Sequence, residues 1–153
     1  MPFSLSSWPL QEDIDDAGEP ATPFPPQWNA LTHRLNPLVL AETWFFEGSV
    51  AVGTGLIAWP APFALTVVEV VARAATAPTG ASLIADVNKN ATTIFGTQAN
   101  RPTIAAGSTA VATAGAASVT TASKNDLYTV DIDQVGSTVP GSNLVVQLRY
   151  LPT

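Results

Sequence analysis

The chain of 153 residues has no cysteine. Disulfides, thiolate metal sites and cysteine nucleophiles are therefore excluded. Histidine is almost as rare: His33 stands alone, so a histidine-rich metal centre is excluded too. Charge is sparse, with Asp, Glu, Lys and Arg together only 12% of residues, about half the usual share. Twelve acidic against six basic residues give a net charge of -6. The resulting field repels phosphate, and no local basic cluster offsets it, so a nucleic-acid partner is not expected. Long apolar runs are missing. The stretch Ala58 to Val68 is interrupted by Pro60 and Pro62 and is followed by Glu69 and Arg73. It falls short of the roughly 18 apolar residues of a membrane-spanning helix, and no membrane association is expected. The first residues lack the basic start of a secretory signal, and Asp13, Asp15 and Asp16 follow early.

What the chain has is hydrophobic residues at 46%, enough for a core, and an abundance of Ala, Thr, Val, Pro and Gly. That mixture disfavours long exposed helices and favours strands joined by Pro/Gly turns. A surface so poor in charge also suits a protein partly covered in an assembly.

Two regions differ. Residues 1–42 hold Glu12, Asp13, Asp15, Asp16, Glu19 and Glu42, half of all the acidic residues. Pro2, Pro9, Pro20, Pro23, Pro25 and Pro26 lie there as well. Such a stretch buries little apolar area against its ordering entropy. It nevertheless carries Phe3, Trp8, Phe24 and Trp28. It reads as an extended attachment arm, with Trp8, Phe24, Trp28, Leu31 and Leu35 docking on a partner. Trp28, Leu31 and Leu35 share one helical face after Pro25-Pro26, and Pro37 ends the pattern, so a short helix is expected around 27–36. A helix this short needs packing to persist.

Residues 43–153 read as strands. The expected set comprises Trp44 to Val52, Leu56 to Trp59, Phe63 to Ala74, Ser82 to Val87, Thr92 to Phe95, weak strands at Ser108 to Thr113 and Ala117 to Thr121, Leu127 to Val135 and Asn143 to Leu151. Gly53-Thr54-Gly55 reads as a turn or bulge, and Asn88 to Asn90 as a hairpin turn. In the third strand, strict alternation sets Val67, Glu69, Val71 and Arg73 against Thr66, Val68, Val70 and Ala72. About eight strands with turn signals between them, and no helices long enough for crossovers, predict an all-β antiparallel sandwich, jelly-roll-like, preceded by the arm.

Candidate chemistry is thin. Asp86-Val87-Asn88-Lys89-Asn90 begins like a calcium loop, but Ala91 stands where the turn glycine belongs and Thr97 where the bidentate glutamate belongs. A hairpin turn is the better reading. Asp131 and Asp133 share a strand face near Asp126 and could serve as paired carboxylates. An acidic outer face, with a cross-strand partner among Arg101, Arg149 and Lys124, explains them as well. Ser-His-Asp hydrolysis lacks its G-x-S-x-G turn, and its one histidine sits in the arm. Neither dinucleotide nor phosphate loop is present. No catalytic residue, metal or cofactor is expected. Trp44, Phe45, Phe46, Trp59, Phe63 and Phe95 could stack on a sugar of a host surface glycan, but strand-borne aromatics usually pack in cores. A carbohydrate- or receptor-binding module is thus the alternative reading.

Four stretches taken together carry a resemblance. They are Pro78-Thr79-Gly80-Ala81-Ser82-Leu83-Ile84-Ala85-Asp86-Val87-Asn88-Lys89-Asn90, Thr93-Ile94-Phe95, Arg101-Pro102-Thr103-Ile104-Ala105-Ala106-Gly107, and Asp131-Ile132-Asp133-Gln134-Val135-Gly136 continuing through Ser137-Thr138-Val139-Pro140-Gly141-Ser142-Asn143-Leu144. They resemble a domain of accessory virion proteins (minor tail, fibre-like or decoration) of tailed bacteriophages, especially those infecting actinobacteria. The likeness covers about residues 50–151, and this chain departs from the D-x-x-x-N-G pattern at Ala91. The resemblance implies a β-sandwich that works by assembly in the virion, commonly as a homotrimer, with the arm attached to a neighbouring capsid or tail protein. It also implies that Pro78, Gly80, Pro102, Gly107, Gly136, Pro140 and Gly141 set the shape of turns.

Overall fold

The computed structural model describes residues 38–153. The arm positions Trp8, Phe24, Trp28, Leu31 and Leu35, and the helix expected around 27–36, lie outside the described residues. Ten strands follow in chain order: β1 Leu40–Ser49, β2 Gly53–Pro60, β3 Leu65–Thr76, β4 Leu83–Lys89, β5 Thr92–Thr93, β6 Thr103–Ile104, β7 Ala112–Thr113, β8 Thr121–Ala122, β9 Leu127–Gln134 and β10 Ser142–Pro152. They form two antiparallel five-stranded sheets. One has the order β1-β10-β3-β7, with β8 also on β3; the other has β2-β9-β4-β5, with β6 also on β4. The expected all-β sandwich is the fold. A single 3₁₀ turn, Gln98–Asn100, is the helical content among the described residues.

The sheets form because period-two patterning gives each long strand one apolar face. In β10, Leu144, Val146, Leu148 and Tyr150 point inward; in β9, Tyr128, Val130 and Ile132 do so; in β4, Leu83, Ala85 and Val87. All ten are buried and join one core with Phe95, Ile94, Ile104 and Leu65. Trp59 links the sheets at one end. Its ring centroid lies 5.9 Å from that of Tyr128 and 5.5 Å from that of Tyr150, which Phe63 approaches at 6.2 Å. Two polar atoms inside this packing, Trp44 Nε1 and Tyr128 Oη, have no hydrogen-bond partner.

Several local expectations are corrected. The first strand starts at Leu40, not Trp44, because Leu40, Ala41 and Glu42 pair with Tyr150, Arg149 and Leu148. Gly53-Thr54-Gly55 belongs to β2, whose register shifts between Gly53 and Ile57. The alternation expected in β3 breaks at a bulge: Arg149 pairs with Glu69, but Tyr150 pairs with Val67. The extra residue, Val68, is 53% exposed, and beyond it Val70, Ala72 and Ala74 take the inward positions. A bulge inverts the face of everything after it. The weak strands around residues 108–121 shrink to the pairs Ala112–Thr113 and Thr121–Ala122. Their Ala, Gly, Ser and Thr side chains offer too little to pack on a neighbour. Asn88 lies within β4, and the hairpin turn is Asn90-Ala91, both with positive φ (50° and 65°).

Candidate functional site

The acidic residues of the second sheet do not converge. Asp131 accepts a hydrogen bond from the Gly55 backbone N–H at 2.6 Å. Asp133 pairs with the guanidinium of Arg101, one of the partners expected for this face. Asp126 accepts from Asn90 Nδ2 and from the Ser123 N–H, both at 2.9 Å, with Lys89 Nζ 3.6 Å away. These donors, the Asn90 amide first, hold the Asp126 carboxyl below its ordinary value. Each carboxylate therefore has its own structural partner, and the paired-carboxylate geometry does not arise.

The calcium-like segment is a stapled hairpin. Asn90 Oδ1 accepts from the Leu127 N–H at 2.8 Å, and Lys89 Nζ donates to the Thr121 carbonyl at 2.9 Å. Asp86 accepts from Thr93 Oγ1 at 2.8 Å. Among the described residues no group of three or more His, Cys, Asp or Glu is placed to hold a metal ion.

Two residues that composition did not single out are Asp86 and Asn88 as members of one outer face. Both lie on the solvent side of β4, alternating with inward Ala85 and Val87, yet both are buried, at 6% and 8% exposure. Asp86 stands opposite Asp131, and Asn88 lies between Thr129 and Thr93. Burial raises the Asp86 carboxyl above its ordinary value, Asp133 adds to the rise, and the Thr93 hydroxyl and Arg101 oppose it. The signal in the sequence was a polar residue at every second place beside fully apolar neighbours. Beside this row lies a cavity of about 550 Å³ walled by Thr54, Asn88, Asn90, Leu127, Thr129 and Asp131.

The aromatics do not build a platform there. Trp44 and Phe95 are buried, and Phe46, Trp59 and Phe63 pack against the core. Phe45 is 54% exposed, on the other sheet. It faces Val145 across β1 and β10. A shallow depression of about 210 Å³ continues from Val145 to Val71 and Val111, flanked by Arg73 and Arg149. Arg149 pairs with Glu69 at 2.5 Å, and Arg73 Nε donates to the Thr109 carbonyl. Glu69 therefore finds its partner across the strands.

The turn residues that carry the sequence resemblance come together at one place. The Gly107 N–H donates to the Pro78 carbonyl at 2.7 Å, the Thr79 N–H to the Val139 carbonyl at 2.9 Å, and the Thr138 N–H back to the Thr79 carbonyl at 3.0 Å. Gly136 donates to Pro140 at 3.2 Å and has no room for a side chain. A Cβ there would collide with the Val139 carbonyl and lie 2.7 Å from the Thr79 nitrogen. Gly80 combines a φ of +79° with similar crowding from Thr138 Oγ1, at 2.7 Å. Three separated stretches of sequence, around Pro78–Gly80, Gly107 and Gly136–Pro140, thus close one hydrogen-bonded knot.

No protein-family model matches the chain, and no curated protein does. Among solved structures, a chain of the cyanophage Pam1 capsid asymmetric unit is similar at 16% identity and a TM-score of 0.46. The match covers 77% of this chain and 86% of that one. The fold assignment rests on the strand pairing itself.

Proposed function

We propose that this chain is a non-enzymatic structural protein of a tailed-phage virion, in which the arm, expected at residues 1–42 and taken to end before β1 begins at Leu40, anchors it to a neighbouring capsid or tail protein and the sandwich is exposed and self-associates as a homotrimer. The observation that carries this reading is the turn knot. Turn residues from three of the four motifs resembling virion accessory domains are locked together around Thr79, Gly136 and Val139, so that part of the resemblance falls on shape and not on a reactive centre. The acidic side chains support it as well, since each is engaged by a structural partner. The apolar residues Phe45, Val145 and Val111 offer a contact surface on the first sheet. Burying such surface contributes roughly 25 cal/mol per Å², before the costs of association.

Light scattering on the purified full chain tests self-association. The expected mass is three times 15.9 kDa; a single-chain mass overturns that part. A chain cut ahead of Leu38 should stay folded and fail to join particles. An unfolded product, or virions that lack the full chain altogether, overturns the division into arm and sandwich.

A further inference from the structure

We propose that the cavity on the outer face of β4 and β9 is a binding site for one sugar residue of a glycan. The proposal goes beyond the assembly role and does not depend on the arm.

The argument starts at Asn88. Val87 is fully buried in the core, so alternation turns Asn88 outward, and an outward residue on a sheet is normally wet. Asn88 is instead more than nine-tenths buried between Thr129 and Thr93, and it lines the cavity. Its amide makes no hydrogen bond with any described residue. An amide brings two donors and an acceptor, and these open toward the cavity: among the described residues the fully buried polar atoms without a partner are Trp44 Nε1 and Tyr128 Oη, not those of Asn88. A polar ligand seated in the cavity would meet all of these groups.

The neighbours define the ligand. Asp131 gives one oxygen, Oδ1, to the Gly55 N–H, which leaves Oδ2 as an acceptor beside the cavity. Thr54 and Thr129 add hydroxyls that both donate and accept. Leu127, 41% exposed, supplies an apolar wall. Donors and acceptors interleaved over one apolar patch match a neutral polyol, whose hydroxyls each donate and accept and whose ring has C–H faces. An anion is disfavoured by Asp131 and by the net charge of -6. A divalent cation wants six to eight close oxygens. Here one carboxylate borders a cavity of about 550 Å³, a size typical of small-molecule sites. Without a stacking aromatic, affinity per site is weak, about millimolar, and several copies on one particle would raise it by avidity.

The experiment is saturation-transfer NMR on the full chain with the methyl glycosides of glucose, galactose, mannose and N-acetylglucosamine. Binding of at least one is expected. Asn88→Leu, similar in volume but without the amide, should abolish it, and Thr129→Val should weaken it about tenfold. Phe45→Ser, on the other sheet, should leave it unchanged. Circular dichroism on each variant separates lost binding from lost folding, and Thr129→Val preserves shape should Asn88→Leu not fold. Silence from all four glycosides overturns the proposal. So does binding that survives these variants, or a melting temperature raised by calcium chloride through Asn88.

Discussion

The inner faces of the two sheets are alike, and the outer faces are not. Leu144, Val146 and Leu148 of β10 mirror Tyr128, Val130 and Ile132 of β9 as fully buried, alternating positions. Outside, the first sheet shows Phe45 and Val145 with Arg73 and the Arg149–Glu69 pair. The second shows Asp86, Asn88, Asp131 and Asp133, partly sunk and hydrogen-bonded. Folding constrains both inner faces in the same way, because both must exclude water and fill one volume. Nothing in folding demands that the outer faces differ. Their difference is what the two proposals rest on: one face carries exposed apolar residues beside Arg73 and an ion pair, the other is acidic and concave.

If the inner faces are equivalent, they should fail equally. Leu148→Ala in the first sheet and Ile132→Ala in the second should each cost about 2–5 kcal/mol in denaturant unfolding, through lost burial and the cavity left behind. Both positions are central in their sheets and essentially unexposed. A cost confined to one sheet would show that the other contributes little to the cooperative unit.

The acidic face predicts a pH signature of its own. Asp86 has a folded pKa raised above 3.8 by burial. Its proton is held more tightly in the folded chain, so stability falls as pH rises from 3.8 through the raised value. Asp126, held below 3.8 mainly by Asn90, works in the opposite sense: its contribution is present above 3.8 and lost as pH falls through its lowered value. Asp86→Asn keeps an acceptor for Thr93 and removes a charge opposite Asp131. The variant should be more stable at pH 7 by up to about 1 kcal/mol. Its stability should lose the decline above pH 3.8 and keep the acid loss below it. An unchanged profile would mean that Asp86 is solvated well enough to titrate as an ordinary carboxyl.

A smaller effect belongs to the hairpin at the rim of that face. Ala91 holds a φ of 65°, a conformation that costs an L-residue roughly 1–2 kcal/mol. Glycine relieves this but loses more entropy on folding, by about 0.4–1 kcal/mol. Ala91→Gly should therefore stabilise the chain by about 0.5–1 kcal/mol. A loss of stability would mean that the alanine methyl packs at the rim of the cavity, where it is one of the lining residues.

What could be read before the structure depended on whether a strand is regular. β9 and β10 follow strict alternation along their buried faces, so Asp131 and Asp133 were correctly placed outside Tyr128, Val130 and Ile132. β3 was misphased from Val68 onward, because a bulge inserts one residue without any distinctive residue type to announce it. Asn88 reads as a turn residue because asparagine favours turns, but its place in β4 is set by pairing with Thr129 and Thr93. The acidic face was legible as a face. Its cavity was not, since Thr54, Asn88 and Asp131 meet only through the strand order β2-β9-β4, and order within a sheet is a long-range outcome.

The smallest expected effect on folding tests the contact face of the first sheet. Phe45 is 54% exposed on β1, an edge strand of that sheet. A half-exposed ring at an edge contributes little to the sandwich core, so Phe45→Ser should change stability by less than about 0.5 kcal/mol. In an assembly the same ring would be covered together with Val145, its cross-strand neighbour, and large aromatics dominate interface energetics. The variant should therefore keep its unfolding midpoint measured below the association threshold while its light-scattering mass falls. If mass and midpoint both stay put, association does not use this face. If stability drops by several kcal/mol, the ring is part of the core, and the contrast between the two outer faces loses its apolar half.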